Sequence, residues 1–376
     1  MTARGKMGKM WIGKRIQMIS NWEKSIPEHV DIKDSMRIEK LEQVVWESTY
    51  RCRSNCIFCY NCWKGEYPQT DELSVDELFV ILKKLPKMKR FVISGGEPLL
   101  RDDIEEIVIT GKKFTDDVIL LTSGVLIQQD RARMLKRNDV FVQVPIHGLE
   151  DTHNYLTGDQ EGFQKMVKGI AWLKKEGVRF GVATVVNKMN VAEFKAILEL
   201  AIALGASGLQ VIRFIPGGIG ITHRELLLSR DEYLEVLTIL DQICGRYKIY
   251  GALGISNLPC VVQNDAFPNI NMGTCGAGID WFAIDPSGRV RMCNHSPTIL
   301  GDLRAQEFTE IWNHPLLKEL RSCRLIPDAC EGCEDLNQCK GGCRAAAETF
   351  YGSFYEPDPL MQMSQQCLHV DEEMGD

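Results

Sequence analysis

A chain of 376 residues is too long for one small module and long enough for one large barrel or two to three ordinary domains. Hydrophobic residues at 44% and charged residues at 25% are the balance of a chain that buries a core, which disfavours disordered, collagenous and membrane classes, and no uncharged apolar run reaches the roughly 18 residues that cross a bilayer. The net charge of -7 argues against a dedicated nucleic-acid binder and fits small organic or peptide partners better.

The chain opens on a basic arm: residues 1–24 carry six Lys or Arg and one Glu, whereas residues 301–376 carry six against fifteen Asp and Glu. The arm never develops the apolar stretch of a secretory signal and reads either as a frayed tail or as a contact for substrate or partner. Fourteen cysteines without an export signal point to metal ligation in a reducing, cytoplasmic setting rather than to a disulfide scaffold. Cys52, Cys56, Cys59 and Cys62 stand together, Cys244 and Cys260 are scattered, and eight more fall between Cys275 and Cys367.

The stretch between the two cysteine groups alternates strand and helix. Apolar, β-branched runs at 43–47, 90–94, 118–122, 140–146, 179–186 and 209–214 predict six buried parallel strands. Ser74 and Glu77 form a capping box that opens a helix over 75–85, and 162–175 and 191–204 have helical apolar spacing that stops at Gly177 and Gly205. A further helical run, 232–247, holds Cys244 as a buried thiol. Such alternation implies an α/β fold with a parallel sheet and right-handed crossovers, either open and doubly wound or a partial barrel. In both, the site forms in the loops at the carboxyl ends of the strands.

The loop after the first strand reads TYRCRSNCIFCYNC and sets Cys52, Cys56 and Cys59 in a C-x3-C-x2-C spacing. Three thiolates on one tight loop can hold three irons of a cubane [4Fe–4S] cluster and leave the fourth iron open. A closed zinc site needs a fourth ligand, which Cys62 can supply, so the spacing alone leaves both open. The second strand, RFVISGGEPLLR, delivers Gly95, Gly96, Glu97 and Pro98 to its carboxyl end. Glycines there let backbone carbonyls approach an ammonium group, and Glu97 adds charge.

Together these motifs resemble those of the radical S-adenosylmethionine (SAM) superfamily. WESTYRCRSNCIFC resembles its cluster loop, with Phe58 before the third cysteine, and SGGEP resembles the strand that holds the methionine amino group of SAM. The resemblance implies a partial (β/α)6 TIM-like barrel, with SAM chelated to the open iron and cleaved reductively to a 5′-deoxyadenosyl radical that takes hydrogen from substrate. Farther on, Cys275, Gly288, Cys293, Cys330-x2-Cys333-x5-Cys339-x3-Cys343 and Cys367 resemble the SPASM domain, a small cysteine-rich unit with two auxiliary [4Fe–4S] clusters. A pair of zinc ribbons is the alternative. The resemblance assigns Cys330, Cys333, Cys339 and Cys367 to one auxiliary cluster and Cys275, Cys293 and Cys343 to the other. Cys260 is the first choice for the fourth ligand of the latter, Cys323 is the second, and an open iron is the third. Residues 275–295 are expected to form a β-hairpin turning at Pro286-Ser-Gly288, followed by a helix over 301–321. The implied division is a basic extension over 1–41, the barrel over 42–225, a bridging helical region over 226–270 and the SPASM unit over 271–376.

Ser123, Asn187 and Arg213, each at a strand end, are expected to contact SAM; Gly217, Gly218 and Gly220 either admit the adenine or only turn the chain. Where relatives end the fourth strand in Ser-Leu-Asp-Gly, this chain has Pro145-Ile146-His147-Gly148, and Thr157 stands where an arginine commonly pairs with the SAM carboxylate. An imidazole at His147 can act as a catalytic base or cap the strand. The resemblance implies modification of a peptide or protein side chain, such as a crosslink or oxidation, with a low-potential donor such as ferredoxin or flavodoxin and no nucleic-acid or membrane partner. A small-molecule enzyme of haem or cofactor biosynthesis is the alternative, because WEST and GGCRAAA resemble such members. A non-catalytic iron–sulfur scaffold is a third class, against which the intact GGEP speaks.

Overall fold

The structure, a computed structural model, describes residues 40–61 and 71–362. The basic arm, Cys62 and Cys367 lie outside the described residues.

Strands and helices alternate from the start. They run β1 (Lys40–Glu47), α1 (Val75–Lys84), β2 (Lys87–Ser94), α2 (Ile104–Lys112), β3 (Asp117–Leu121), α3 (Gln129–Arg137), β4 (Phe141–Pro145), α4 (Glu150–Thr157) and α5 (Gly162–Glu176). After these come β5 (Phe180–Val186), α6 (Phe194–Leu204), β6 (Gly208–Arg213), α7 (Arg230–Tyr247) and β7 (Tyr250–Leu253). The capping box forms, with Ser74 Oγ accepting from Glu77 N and the Glu77 carboxylate accepting from Ser74 N. A second one, Ser229 with Glu232, opens α7. Helices α5 and α6 stop at Gly177 and Gly205, whose positive φ of 69° and 99° lets the chain turn back at no Cβ cost.

Each strand from β1 to β7 pairs parallel with the next. The period of two divides their side chains between faces. Val44, Trp46, Phe91 and Ile93 join the main core under the helices, while Val45 and Val92 meet Ala283 in a small cluster on the opposite face. Glu47 and Ser94, in register at the carboxyl ends of β1 and β2, continue that inner face. The polar groups at the top of the inner wall are thus dictated by strand parity.

The six expected strands form as β1 to β6, and the sheet extends beyond them on both sides. After β6, the short segment Tyr250–Leu253 adds a seventh parallel strand, which its four residues and central glycine conceal in the sequence. Beside β1, the C-terminal hairpin forms with β8 (Trp281–Ile284) and β9 (Arg289–Arg291), and Gly288 takes φ 96° in its turn. This hairpin does not stand apart. Strand β8 pairs parallel with β1 and β10 (Ile299–Asp302) pairs with β9, so ten strands form one sheet in the order β10-β9-β8-β1-β2-β3-β4-β5-β6-β7, with two free edges as a partial barrel requires. The single helix expected over 301–321 is β10 followed by two short helices, α8 (Phe308–Trp312) and α9 (Pro315–Arg321). Pro315 is the cause: lacking an N–H, it starts a helix at N1 and cannot continue one, and His314 Nδ1 caps the new start by accepting from Leu316 N.

A buried ion pair also crosses this junction. Arg291 of β9 donates to the Glu47 carboxylate, and both are shut away from solvent. A chain ending at residue 270 would expose the β1 edge and leave Glu47 buried beside no cation, which is strongly destabilising. Such a truncation is expected to lose cooperative thermal unfolding and to be digested rapidly by protease; a sharp melting transition would show the seven-strand unit to be independent.

Candidate functional site

The cysteine loop after β1 is held by its main chain. Ser48 N donates to Ser94 O at 2.7 Å, and Arg101 donates back to Ser48 O at 2.9 Å. Glu72 receives both Thr49 Oγ1 at 2.6 Å and Tyr50 N at 2.8 Å. Gly96 N then donates to Thr49 O and Glu97 N to Arg51 O, each at 2.8 Å. The double glycine is needed for this docking, since a Cβ on Gly96 would lie 2.2 Å from Arg51 O and 3.0 Å from the Cys52 Cβ. On a second side, Asn55 N and Ile57 N donate to Thr157 O and Leu156 O at the end of α4. On a third, Ile219 N and Gly220 N donate to Cys59 O at 2.9 and 3.2 Å, and Gly218 has φ 52° where a Cβ would meet Tyr60 O at 2.4 Å. Cys52, Cys56 and Cys59 sit half-buried in this clamp. The 218–220 stretch thus docks main chain to main chain on the cysteine loop.

Glu97 is a brace rather than a free charge. Oε1 accepts from Leu99 N at 3.1 Å and Thr122 Oγ1 at 2.7 Å; Oε2 accepts from Ser123 N at 2.8 Å and Ser123 Oγ at 2.5 Å. Those four donors tie the end of β2 to the end of β3, and Pro98 starts the short turn that Glu97 caps. Ser123 lies just past the end of β3, with its hydroxyl given to Glu97.

His147 lies just past the end of β4 and bonds backbone. Its Nδ1 accepts from Val185 N at 3.2 Å, so the ring proton is on Nε2 and the free edge of the imidazole is a donor. Burial, and then the neighbouring His153, drive its pKa well below 6.5. Phe58 stands edge-on to the His147 ring at 4.6 Å, and His153 stacks on it at 5.9 Å. Asn187 is fully buried, and its Oδ1 accepts from Met189 N in the turn after β5. Thr157 Oγ1 donates to His153 O within its own helix.

Arg213 closes β6 and faces the C-terminal segment. It shares its face of β6 with Leu209 and Val211, which belong to the main core, and its guanidinium pairs with Asp358 at 2.5 Å. The charge expected at SAM is therefore spent on the C-terminal segment.

That segment supplies the second thiol group. Cys275, Cys293, Cys339 and Cys343 line one cavity, with Met292, Lys340 and Arg344 among the other walls. Cys275 is exposed as a residue, yet its thiol turns into the cavity, where burial and then Cys343 push it up to about 12. Burial raises Cys293 and Cys343 as well. Cys260 and Cys323, expected in that order as fourth ligand, are not in the lining. Cys323 instead accepts from Lys340 Nζ at 3.4 Å. Cys339, which the resemblance gives to the other cluster, is the fourth thiol of the wall.

These thiols fit an iron–sulfur body. Among the described residues no three Cys, His, Asp or Glu side chains converge as ligands of a single metal ion would, whereas a cubane bonds each thiolate through a different iron and is surrounded rather than pointed at. Thiols whose ionisation burial opposes need a compensating positive charge, which irons supply.

A parallel sheet whose first two strand ends meet over a cysteine triad is the architecture of radical SAM enzymes, and sequence profiles agree with the geometry. The profile of the radical SAM superfamily matches residues 46–201, and that of the SPASM iron–sulfur cluster-binding domain matches residues 275–335. The chain belongs to the radical SAM superfamily and is a radical SAM enzyme with a SPASM domain, so iron–sulfur clusters and SAM are its cofactors. Among its relatives, the AdoMet-dependent heme synthase of Methanosarcina barkeri is 28% identical over 335 residues, 84% of this chain and 95% of that one. The PqqA peptide cyclase of Gluconobacter oxydans is 28% identical over 328 residues, 85% and 89% of the two chains. Streptococcus suis SuiB bound to S-adenosylmethionine shares the fold, with a TM-score of 0.71, 15% identity and 95% and 89% coverage. No helix among the described residues is long and apolar enough to cross a membrane.

Two outcomes are expected. Gly96→Ala should lower thermal stability by at least about 2 kcal/mol, because backbone cannot yield as a side chain can; Gly217→Ala, whose Cβ would meet nothing nearer than 3.6 Å, should be close to neutral. Equal effects in calorimetry would dismiss the docking role of Gly96. His153, lowered to about 4 mainly by burial, folds neutral, so below pH 6.5 the unfolded chain binds more protons. Stability should therefore fall between pH 6.5 and 4 by about 3 kcal/mol from this group, and denaturant titration of His153→Gln should show that part of the slope removed.

Proposed function

We propose that the chain holds one [4Fe–4S] cluster on Cys52, Cys56 and Cys59 and two auxiliary clusters in the SPASM unit, and modifies a peptide or protein side chain. Cys275, Cys293 and Cys343 are three ligands of one auxiliary cluster, and its fourth iron is left open to a substrate atom rather than to Cys260. Cys330, Cys333 and Cys367 hold the other, shared with Cys339 as the resemblance has it. The observation that carries this reading is the joining of both thiol groups to one sheet, with β8 beside β1.

Bound together, SAM and a reduced cluster supply a 5′-deoxyadenosyl radical that abstracts hydrogen from substrate. The chain's own residues orient and shield. The glycines 95 and 96 bring the loop onto β2, Glu97 fixes the strand end, Ser123 stands beside it, and Phe58 covers His147. The Nε2–H of His147 is a neutral donor toward a bound ligand, and Asn187 keeps the turn after β5 in place. Arg213 acts on the SPASM side.

A peptide substrate is supported by the PqqA peptide cyclase, whose likeness spans most of both chains. A tetrapyrrole is the second reading, favoured by the equal identity of the heme synthase. Anaerobic incubation with SAM, a reductant and either iron porphyrins or the short peptides encoded beside the gene separates them by mass. A peptide mass change with porphyrin left intact is expected, and porphyrin conversion alone reverses the assignment.

Metal content is a further check. Reconstitution should give about twelve irons per chain, four for each cluster. Replacing Cys52, Cys56 and Cys59 together should leave about eight and abolish 5′-deoxyadenosine formation. Cys260→Ala should leave the iron count unchanged; a loss of iron there would return Cys260 to the ligand set.

A further inference from the structure

The segment GGCRAAA puts an arginine directly after Cys343, and its surroundings are unusual for a buried cation. Gly341 and Gly342 take φ of 75° and 86° and lead the chain into α10 (Leu336–Cys339) from behind and α11 (Arg344–Tyr351) ahead. Arg344 is only 4% exposed. Its guanidinium donates to Phe354 O at 2.6 Å, to Glu356 O at 2.9 Å and to Gly341 O. These are neutral carbonyls, and among the described residues no carboxylate forms a salt bridge with it. The nearby acid, Asp358, is already taken: it is fully buried, pairs with Arg213, and accepts from Cys343 N at 2.9 Å and Leu360 N at 2.9 Å. Arg344 Nε is buried without a hydrogen-bond partner, and the residue lines the cavity that Cys275, Cys293, Cys339 and Cys343 surround.

A buried guanidinium is costly when it makes no salt bridge of its own and the nearby acid is already paired with another arginine. Four thiols in the same cavity, once ligating iron, make an anionic body there for the guanidinium to face. We propose that Arg344 is the built-in counter-cation of the auxiliary cluster in this cavity and raises its reduction potential. This rests on the assignment of Cys275, Cys293 and Cys343 as ligands. Reduction adds one electron, and hence one negative charge, to the cluster; a fixed positive charge at low dielectric favours that state, and an N–H directed at sulfur does the same. Arg344 is thus a positioning residue, acting through the cluster rather than on substrate.

The test is an EPR-monitored redox titration of the reconstituted holoenzyme. Wild type comes first: if Cys275→Ala with Cys293→Ala removes no iron and no reducible signal, the ligand assignment fails, and that failure is separate from this one. With the cluster present, Arg344→Gln should lower the midpoint by at least a tenfold change in the reduction equilibrium, 59 mV for one electron. Arg344→Lys, keeping the charge and losing the Nε–H, should fall between. Asp358→Asn removes the opposing charge and should move the midpoint upward. Opposite signs for the arginine and aspartate variants support the electrostatic role. Unchanged midpoints at full iron content overturn it, and so does loss of this cluster from both Arg344 variants in an otherwise folded protein, which would make Arg344 a scaffold for ligation.

Discussion

The approach of one backbone to another at Gly96 governs the rest of the site. With no Cβ in the way, the carbonyls of Thr49 and Arg51 reach the N–H groups of Gly96 and Glu97, and the cysteine loop lies on the end of β2 as if it were an extension of the sheet. A loop of this length would otherwise lose considerable entropy to be fixed. Three separate strand ends share that cost, because contacts arrive after β2, after β4 and after β6. The three thiols are consequently positioned by main-chain hydrogen bonds, which no side-chain substitution elsewhere in the loop can remove.

The same economy appears where the C-terminal unit joins the barrel. Charges cross the junction in buried pairs, Glu47 with Arg291 and Arg213 with Asp358. Within the C-terminal unit itself, Glu348 accepts from Ser296 and Thr298, each at 2.5 Å. A buried pair adds little net stability over a well-packed apolar contact, but breaking one is expensive, so these pairs specify a single register between the two units. Burial lifts the Glu47 carboxyl while Arg291 beside it pulls it back, the balance expected of a charge retained for orientation.

Much of this arrangement is legible in the sequence. Strand runs, capping boxes and glycine stops are local signals, set by neighbouring residues alone. The cysteine spacings and the double glycine are equally local. What the sequence hides is contact between segments far apart. Nothing in Tyr250-Gly-Ala-Leu announces a seventh strand, and nothing near Trp281 says that it will pair with β1, since both depend on what lies alongside. Arg213 reads as a site residue by its place at a strand end, and only its parity with Leu209 and Val211 sends it outward. His147 is found by position, whereas its tautomer is set by Val185 N, a group that has no sequence signature. Cys339 falls by spacing with Cys330 and Cys333, yet the fold turns it also to the cavity of Cys275.

The two thiol groups are also joined more directly than through the sheet. Tyr60 follows Cys59, His295 lies two residues after Cys293, and their rings meet at 4.5 Å. The Tyr60 hydroxyl is held by Asn294 and Ser94, and burial raises its pKa so that it stays a neutral donor. A displacement of the first cysteine loop must therefore disturb the loop that carries Cys293, and the reverse holds as well. Packed aromatic contacts and enclosed hydroxyls do not deform gradually. The two loops consequently keep one relative position, and the order imposed at Gly96 on the first is carried by Tyr60 into the second.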